Sequence, residues 1–236
     1  TGYVQRSSVS VAAERMMPEL GLSQVQIGWL FTAFLITYAV FQVPGALIGQ
    51  VLGARRILAI IAIIGVLGSL LTAAAPWFAA AGVMFVTLLL ARSLLGVAQA
   101  ALFPITAGAI RLWFPVGAWA TFQGLIVTGL WLGAATATPL IAWLMQGYGW
   151  QWALVMTSLP SLLLVTLWYW FARDRPGQHP RVSAAELAEL AGNPPDDAAA
   201  PLTTKRVIHV LADPQILRIS ASYFLMSMVF YLVYFW

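Results

Sequence analysis

The sequence has no cysteine and only two histidines among its 236 residues. Without cysteine the chain can build neither a disulfide framework nor a thiolate metal site, and the isolated His179 and His209 do not make a ligand cluster. No glycine-rich phosphate loop, carboxylate pair or Ser/His/Asp set stands out in the apolar segments. The sequence therefore predicts no bound metal, no cofactor and no enzymatic activity.

Charged residues are also scarce. They make up 8% of the chain, whereas 61% of the residues are apolar and the mean hydropathy is +0.85. Residues 112–172 contain no charged residue of either sign, a run that requires lipid as its solvent. The sequence pI is near 9.8. The basic residues are spread between the apolar segments, however, so membrane topology explains them better than nucleic-acid binding.

Seven apolar segments follow from the positions of the charges and of the Gly/Pro punctuation. A bilayer core about 30 Å thick needs roughly 20 helical residues. Helices are required because lipid cannot satisfy open backbone groups and the alternation of a β-barrel is absent. We expect an all-α polytopic membrane protein with segments at 1–17, 26–50, 57–75, 83–110, 118–146, 151–172 and 216–236. The first and last segments look truncated, which suggests a fragment.

The connections between segments alternate in charge, and this alternation predicts the orientation. One set carries most of the arginines, including Arg55, Arg56 and Arg111, whereas the other has few charges. By the positive-inside rule the arginine-rich set is cytoplasmic. This orientation places the N-terminus and the linker on the cytoplasmic side of a plasma membrane. Candidate anchors at the outer interface are Trp77, Trp150 and Trp152.

The only long polar stretch follows the sixth segment and predicts a linker. We expect three parts: a six-helix bundle over 1–172, a cytoplasmic linker over 173–213, and a seventh helix over 214–236 that starts a second bundle. Inside the linker, Ser183 and Glu186 have the spacing of a capping box, which predicts a short amphipathic surface helix through Leu190.

Arg92 is the most informative single residue, because it lies about nine residues inside an otherwise uncharged segment. Inserting such an arginine costs roughly 2.5 to 3.5 kcal/mol or more, so it must face a cavity or a partner. Gln99 and Phe103 follow on nearly the same helical face. The three residues predict a polar and aromatic stripe that lines a cavity.

Arg6 is the second arginine inside a span, and Phe34, Tyr38 and Gln42 give the next segment a face that can hydrogen bond. Such a face makes helix contacts more often than ligand contacts. The spans contain two arginines and no deep carboxylate. An anionic ligand would supply the missing negative charge, because guanidinium binds carboxylate or phosphate in bidentate geometry. Alternatively, backbone carbonyls or acids outside this sequence satisfy both arginines.

Several motifs occur together in the chain: Tyr3-Val4-Gln5-Arg6-Ser7, Gln42-Val43-Pro44-Gly45, Gly53-Ala54-Arg55-Arg56, Phe103-Pro104, Trp113-Phe114-Pro115 and Gly149-Trp150. In this combination the chain resembles the anion:cation symporters of the major facilitator superfamily, which include hexuronate, galactonate, glucarate and phthalate transporters. The resemblance implies twelve helices in two bundles with alternating access around a central site. This chain would be the N-terminal six-helix bundle plus the start of helix seven.

The resemblance also implies roles for individual residues. Tyr3, Arg6 and Tyr38 match substrate-contact positions, and Arg92 matches the arginine that communicates with the coupling acids. The cytoplasmic loop motif is matched by Gly45, Gly53, Arg55 and Arg56.

The chain departs from the family pattern at the acids. Gln5 and Gln99 stand where galactonate-type members carry the proton-coupling Asp and Glu, and Gln50 replaces the usual loop Asp. Since glutamine does not titrate, these positions predict loss of proton coupling by the usual route. Gln99 could still donate a hydrogen bond to the substrate.

Together these features predict a secondary transporter of small organic anions, such as sugar acids or aromatic or dicarboxylic acids. Its partners would be the anion, the bilayer and, if a carboxylate elsewhere restores coupling, a proton or another cation. Otherwise we expect exchange or uniport. Two other functions stay open. A transporter-derived sensor is suggested by the lost acids, and efflux of hydrophobic compounds is suggested by the 11 tryptophans.

Overall fold

A computed structural model describes residues 2–78, 80–193, 209 and 212–235. Two compact units are present, Thr1–Pro195 and Asp196–Trp236, and each is described by itself. The part of the expected linker at 194–208 and 210–211 lies outside the described residues.

The described secondary structure is helical, with no strand in the ranges given above. The helices of the first unit are α1 (Gly2–Leu20), α2 (Gln24–Leu52), α3 (Ala54–Ala73), α4 (Ala81–Ala100), α5 (Leu102–Trp113), α6 (Trp119–Phe171) and α7 (Ala184–Leu190). The second unit contains α8 (Pro214–Phe235). All seven predicted segments are helical, and the expected all-α membrane fold is confirmed.

Four helical runs are long and apolar enough to cross a membrane: Gln24–Leu52, Ala54–Ala73, Ala81–Trp113 and Val116–Phe171. The third run was expected as one segment over 83–110, and it is one candidate span, although Ala101 divides it into α4 and α5 while keeping right-handed helical dihedral angles. The fourth run has 56 residues, enough for two crossings at about 20 residues each.

Gly149 divides α6 into two arms, 119–148 and 150–171. Its φ of 81° lies in the left-handed region that glycine tolerates and other residues avoid. The arms return to the same end of the bundle, because Trp113, before the first arm, and Phe171, at the end of the second, both contact the His179 ring. The sequence predicted separate helices at 118–146 and 151–172, and the two arms of α6 correspond to them.

Close approach of helices holds the first unit together. α2 packs mainly against α4, α3 against α4 and α6, and α1 against α6. A Cβ atom added at Gly96 of α4 would collide with Thr37 and with the carbonyl oxygen of Phe34 on α2. A Cβ atom added at Gly45 of α2 would lie 2.8 Å from the Cβ of Ala101. Small residues thus set the spacing between these helices. This is usual in membranes, where no hydrophobic driving force brings helices together and close packing replaces it.

The end of the bundle that contains Glu19 and Trp150 is closed by side-chain hydrogen bonds, and we call it the Glu19 end. The Trp150 indole donates to Glu19 over 2.6 Å, and Gln151 donates to the same carboxylate over 2.6 Å. Trp150 is only 1% exposed. Its predicted role as an interfacial anchor is therefore wrong, because its polar atom is used inside the protein. Trp77 and Trp152 remain exposed.

The capping box predicted in the linker is present. The Ser183 hydroxyl accepts from the Glu186 amide over 3.3 Å, and the Glu186 carboxylate accepts from the Ser183 amide over 2.7 Å. Hydrogen bonds from the Ser183 backbone and side chain lower the pKa of Glu186. α7 therefore begins where the sequence predicted, with Ser183 as its N-cap.

Gly96 offers a test of the α2–α4 contact. We expect Gly96→Ala to destabilise the bundle by about 1 to 3 kcal/mol, because the added methyl group overpacks a backbone contact. The measurement is the thermal midpoint of the complete protein in detergent. Gly108→Ala is the matched control, since a Cβ atom at Gly108 meets nothing within 4 Å. Equal midpoints for the two variants would contradict the proposed close contact.

Candidate functional site

Arg6 lies among three aromatic rings contributed by two helices. Its Cζ atom is 5.8 Å from the ring centroid of Tyr3 on α1, 5.1 Å from that of Phe34 and 5.5 Å from that of Tyr38, both on α2. The Phe34 and Tyr38 rings stack at 5.8 Å. These distances are within the range of cation–π attraction. The three residues expected to contact substrate, Tyr3, Arg6 and Tyr38, are therefore brought together, and Phe34 completes the aromatic cage.

The Arg6 side chain is half-buried, whereas its neighbour Gln5 is only 4% exposed. Successive residues of a helix point about 100° apart, so α1 directs Arg6 to one face and Gln5 into the bundle. The Gln5 amide nitrogen lies 3.3 Å from the Ser161 hydroxyl of α6. A Cβ atom at Gly65 of α3 would collide with the Gln5 side chain. Gly65 therefore makes room for a buried amide.

Arg92 lies in the interior of the bundle, 4% exposed. It borders a cavity whose polar lining comes from Gln5 and Ser8 of α1, Ser69 and Thr72 of α3, and Arg92 itself. Among the described residues, no group accepts a hydrogen bond from its Nη2 atom. The interior of the bundle thus holds a guanidinium group with one nitrogen that has no hydrogen-bond acceptor among the described residues.

Gln99 does not line this cavity, and its side chain forms a hydrogen bond elsewhere. Its amide nitrogen donates to the Gly2 carbonyl oxygen of α1 over 3.0 Å, and its side chain is buried. Phe103, expected on the same stripe as Arg92 and Gln99, is instead exposed.

The residues of the loop motif lie at the opposite end from Glu19, which we call the Arg55 end. Arg55 donates from Nε and Nη2 to the Tyr169 carbonyl oxygen over 3.0 and 2.6 Å and lies over the Tyr169 ring at 4.3 Å. Arg56 is exposed, and Gly45 lies within α2. Gly45 of the motif therefore allows close helix packing, and Arg55 attaches α3 to α6.

Asp174 supplies the N-cap that α3 lacks. Gly53, the residue before α3, has no side chain to accept a hydrogen bond, and the Asp174 carboxylate accepts from the Arg55 amide over 2.8 Å. A Cβ atom at Gly53 would collide with this carboxylate, and φ at Gly53 is 84°. Both facts require glycine at position 53.

The start of the expected linker is also attached to the Arg55 end. The Asn193 side chain accepts from the Val116 amide over 3.2 Å and donates to the Phe114 carbonyl oxygen over 2.9 Å. His179 packs edge-on against Trp113 and Phe171. Residues 173–193 therefore follow the end of the bundle instead of leaving it.

Sequence reasoning missed the hydroxyl groups around Arg92 and Gln5, together with Asp174. Ser69 and Thr72 are three residues apart and so share a helical face, which is the one signal that could have indicated them. Within the described residues, no group of three or more His, Cys, Asp or Glu side chains is placed to hold a metal ion.

The described helices of the first unit are apolar, and polar side chains such as Gln5, Arg92 and Gln99 are buried in its interior. The chain belongs to the major facilitator superfamily, whose family model matches residues 2–236. It is a multi-pass membrane protein of a transporter family, not an enzyme, as the resemblance implied.

Curated relatives of the chain are transporters of organic acids. It is 31% identical over 188 residues to a probable sulfoacetate transporter of Cupriavidus necator, covering 80% of this chain and 42% of the relative. It is 28% identical over 189 residues to the hexuronate transporter of Bacillus subtilis, covering 80% and 43%. It is 27% identical over 167 residues to a D-galactonate transporter of Escherichia coli, covering 71% and 37%. The chain spans less than half the length of these relatives.

Asp174 can be tested as the cap of α3. We expect Asp174→Ala to lower the stability of the complete protein by about 1 kcal/mol, the usual effect of losing an N-cap. Thermal midpoints in detergent measure the effect. Glu189→Ala is the control, because Glu189 is exposed on α7. A midpoint for Asp174→Ala that matches the control would show that the carboxylate does not stabilise α3.

Proposed function

We propose that the protein containing this chain transports small organic anions by alternating access, with Arg6 as the residue that binds the anionic group. The observation that carries this proposal is the aromatic cage of Tyr3, Phe34 and Tyr38 around a half-buried guanidinium. The cage restricts the guanidinium to a small region without neutralising its charge. A carboxylate or sulfonate can then bind to it in bidentate geometry.

The charge pattern supports an anionic substrate. Residues 20–173 contain no Asp or Glu. On α1 itself, Glu14 is exposed, and the Glu19 carboxylate accepts hydrogen bonds from Trp150 and Gln151. The relatives are named as transporters of sulfoacetate, hexuronate and D-galactonate, all of them small organic anions. Sugar acids and short sulfonated or dicarboxylic acids are therefore the first compounds to examine.

We expect Arg6→Gln to abolish exchange of labelled hexonates and sulfoacetate in counterflow assays on proteoliposomes that contain the complete protein. Arg6→Lys should retain less than about a tenth of the exchange, because lysine keeps the charge but loses the planar fork. Arg175→Gln is the control, since it removes one exposed positive charge outside the cage.

Other results of the same assay distinguish the alternative functions. Unchanged exchange of the acids in Arg6→Gln would contradict the role of Arg6 in binding them. Efflux of hydrophobic compounds would instead be indicated by a wild-type protein that exchanges none of the acids but exports a hydrophobic dye, with equal export in Arg6→Gln. Binding of the acids without any counterflow in the wild type would point to a sensor derived from a transporter.

We further propose that transport occurs by exchange or uniport, without proton coupling through α1 and α4. Gln5 and Gln99 donate hydrogen bonds to Ser161 and to the Gly2 carbonyl oxygen, and an amide cannot release or take up a proton in the way a carboxyl group can. These glutamines stabilise helix contacts that a titrating acid would make dependent on pH.

Uptake into proteoliposomes with an imposed proton gradient tests the coupling. With the membrane potential clamped at zero, we expect the labelled anion to equilibrate and not to accumulate above the external concentration. Homologous exchange should run at the same rate with and without the gradient. Several-fold accumulation driven by the gradient would contradict the proposal and would indicate a titrating carboxylate elsewhere in the protein.

We also propose that residues 1–172 form the N-terminal six-helix bundle, that 173–213 link the bundles, and that 214–236 begin the second bundle. The Arg55 end faces the cytoplasm in this proposal, and the membrane is the plasma membrane. Contacts of Arg55 with Tyr169 and of Asn193 with the loop after α5 gather the arginine-rich connections at one end. Collection at one end is the arrangement that the positive-inside rule describes.

A further inference from the structure

The face of α1 that carries Tyr3, Ser10 and Glu14 lies opposite the face that α1 buries. The buried residues of α1 are Gln5, Ser8, Val9, Ala12, Ala13 and Met16. Ala12 follows Tyr3 by nine residues and so lies about 180° from it around the helix. Ser10 and Glu14 lie within about 20° of Tyr3, and both are exposed. A polar face of this kind in a membrane protein borders water or a ligand path, because lipid does not solvate it.

Glu14 is one of two acids among residues 1–173, and its surroundings differ from those of the other acid, Glu19. The Glu19 carboxylate accepts two hydrogen bonds from α6. Arg15, next to Glu14, turns toward α6 and donates to the Met145 carbonyl oxygen over 2.6 Å. Glu14 forms neither a hydrogen bond nor an ion pair with a described residue. Its negative charge is therefore presented on the polar face of α1.

Glu14 and Arg6 lie at different heights along α1. Eight residues separate them, which corresponds to a rise of about 12 Å and a rotation of about 80°. From Arg6 toward the start of α1, the ring of Tyr3 occupies the space beside the guanidinium. In the other direction this side of α1 carries the small side chains of Ser7 and Ser10. A ligand whose acid group is bound at Arg6 therefore has room to extend toward Glu14.

A sugar acid of six carbons has a suitable length for the space between these two charges. Its five C–C bonds of about 1.5 Å each extend it by about 6 Å, roughly half of the rise between Arg6 and Glu14. A hydroxymethyl group at its far end can donate a hydrogen bond to Ser10 or to the Glu14 carboxylate. A second carboxylate at that end would meet a like charge at about 6 Å. With an effective dielectric constant of about 40, this repulsion weakens binding about tenfold.

We propose that Glu14 makes the site at Arg6 selective for sugar acids with one carboxylate, against sugar diacids of the same length. The acid group binds Arg6, the hydroxyl groups of the sugar lie along Ser7 and Ser10, and the uncharged end lies toward Glu14. This inference rests on the proposed binding of the anion at Arg6. It separates aldonic acids, which carry one charge, from aldaric acids, which carry two.

D-Gluconate and D-glucarate test the inference, because they differ only at C6, which is a hydroxymethyl group in the first and a carboxylate in the second. The experiment measures how each unlabelled acid inhibits counterflow of labelled D-gluconate in proteoliposomes that contain the complete protein. In the wild type, half-inhibition should require about tenfold more glucarate than gluconate. In Glu14→Gln this ratio should fall to near one. Half-inhibition by gluconate itself should change by about threefold or less, because its carboxylate lies farther from Glu14.

Further variants separate the charge of Glu14 from its size. Glu14→Asp keeps the negative charge and should keep the discrimination, whereas Glu14→Lys should reverse it in favour of glucarate. Glu189→Gln is the matched control, since it removes the same charge from an exposed position on α7. Because Glu14 is also exposed, we expect Glu14→Gln to have the thermal midpoint of the wild type in detergent.

The outcomes distinguish this inference from the proposed function. Exchange of gluconate with the same glucarate-to-gluconate ratio in wild type and Glu14→Gln would overturn the inference and leave anion binding at Arg6 intact. An equal loss of discrimination in Glu189→Gln would also overturn it, because a general change in surface charge would then explain the effect. A wild-type protein that exchanges neither acid would overturn transport of sugar acids, and the inference with it.

Discussion

Every polar group inside a membrane-spanning bundle must find its partner within the protein, and this constraint organises the whole structure. Most hydroxyl groups in the spans meet it locally, by donating to a carbonyl oxygen of the preceding turn, as Thr157 does. Buried amides meet it between helices, as Gln5 does with Ser161 and Gln99 with Gly2. Arg92 alone among the buried side-chain groups of the described residues does not meet it, and its cavity follows from that exception.

The same constraint explains the division of work between the two arginines in the spans. Arg6 is half-buried, so solvent or a ligand can reach it, and aromatic rings hold it without removing its charge. Arg92 is enclosed by the bundle, with 4% of its surface exposed. The two arginines therefore differ in their access to solvent, a difference that the sequence alone does not show.

Both ends of the bundle are closed by contacts between residues that are distant in sequence. The Glu19 end joins α1 to the bend in α6, and the Arg55 end joins the start of α3 to the end of α6 through Asp174. Together with the glycine contacts between α2 and α4, these bonds favour movement of the helices of the first unit as one body. Rocking of one bundle against another is how alternating access is achieved in such transporters.

The sequence by itself determined the helices, because lipid requires each membrane-spanning helix to have a minimum length and an apolar composition, and both are visible in the sequence. It also indicated Arg6 and Arg92, since a charge inside a span is costly enough to predict a functional or structural role. Only the tertiary structure decided the partners: Ser161 for Gln5, Asp174 for α3, and Glu19 for Trp150, pairs separated by more than 100 residues. Hydrogen bonds form between atoms about 3 Å apart in space, and a linear pattern does not contain that distance.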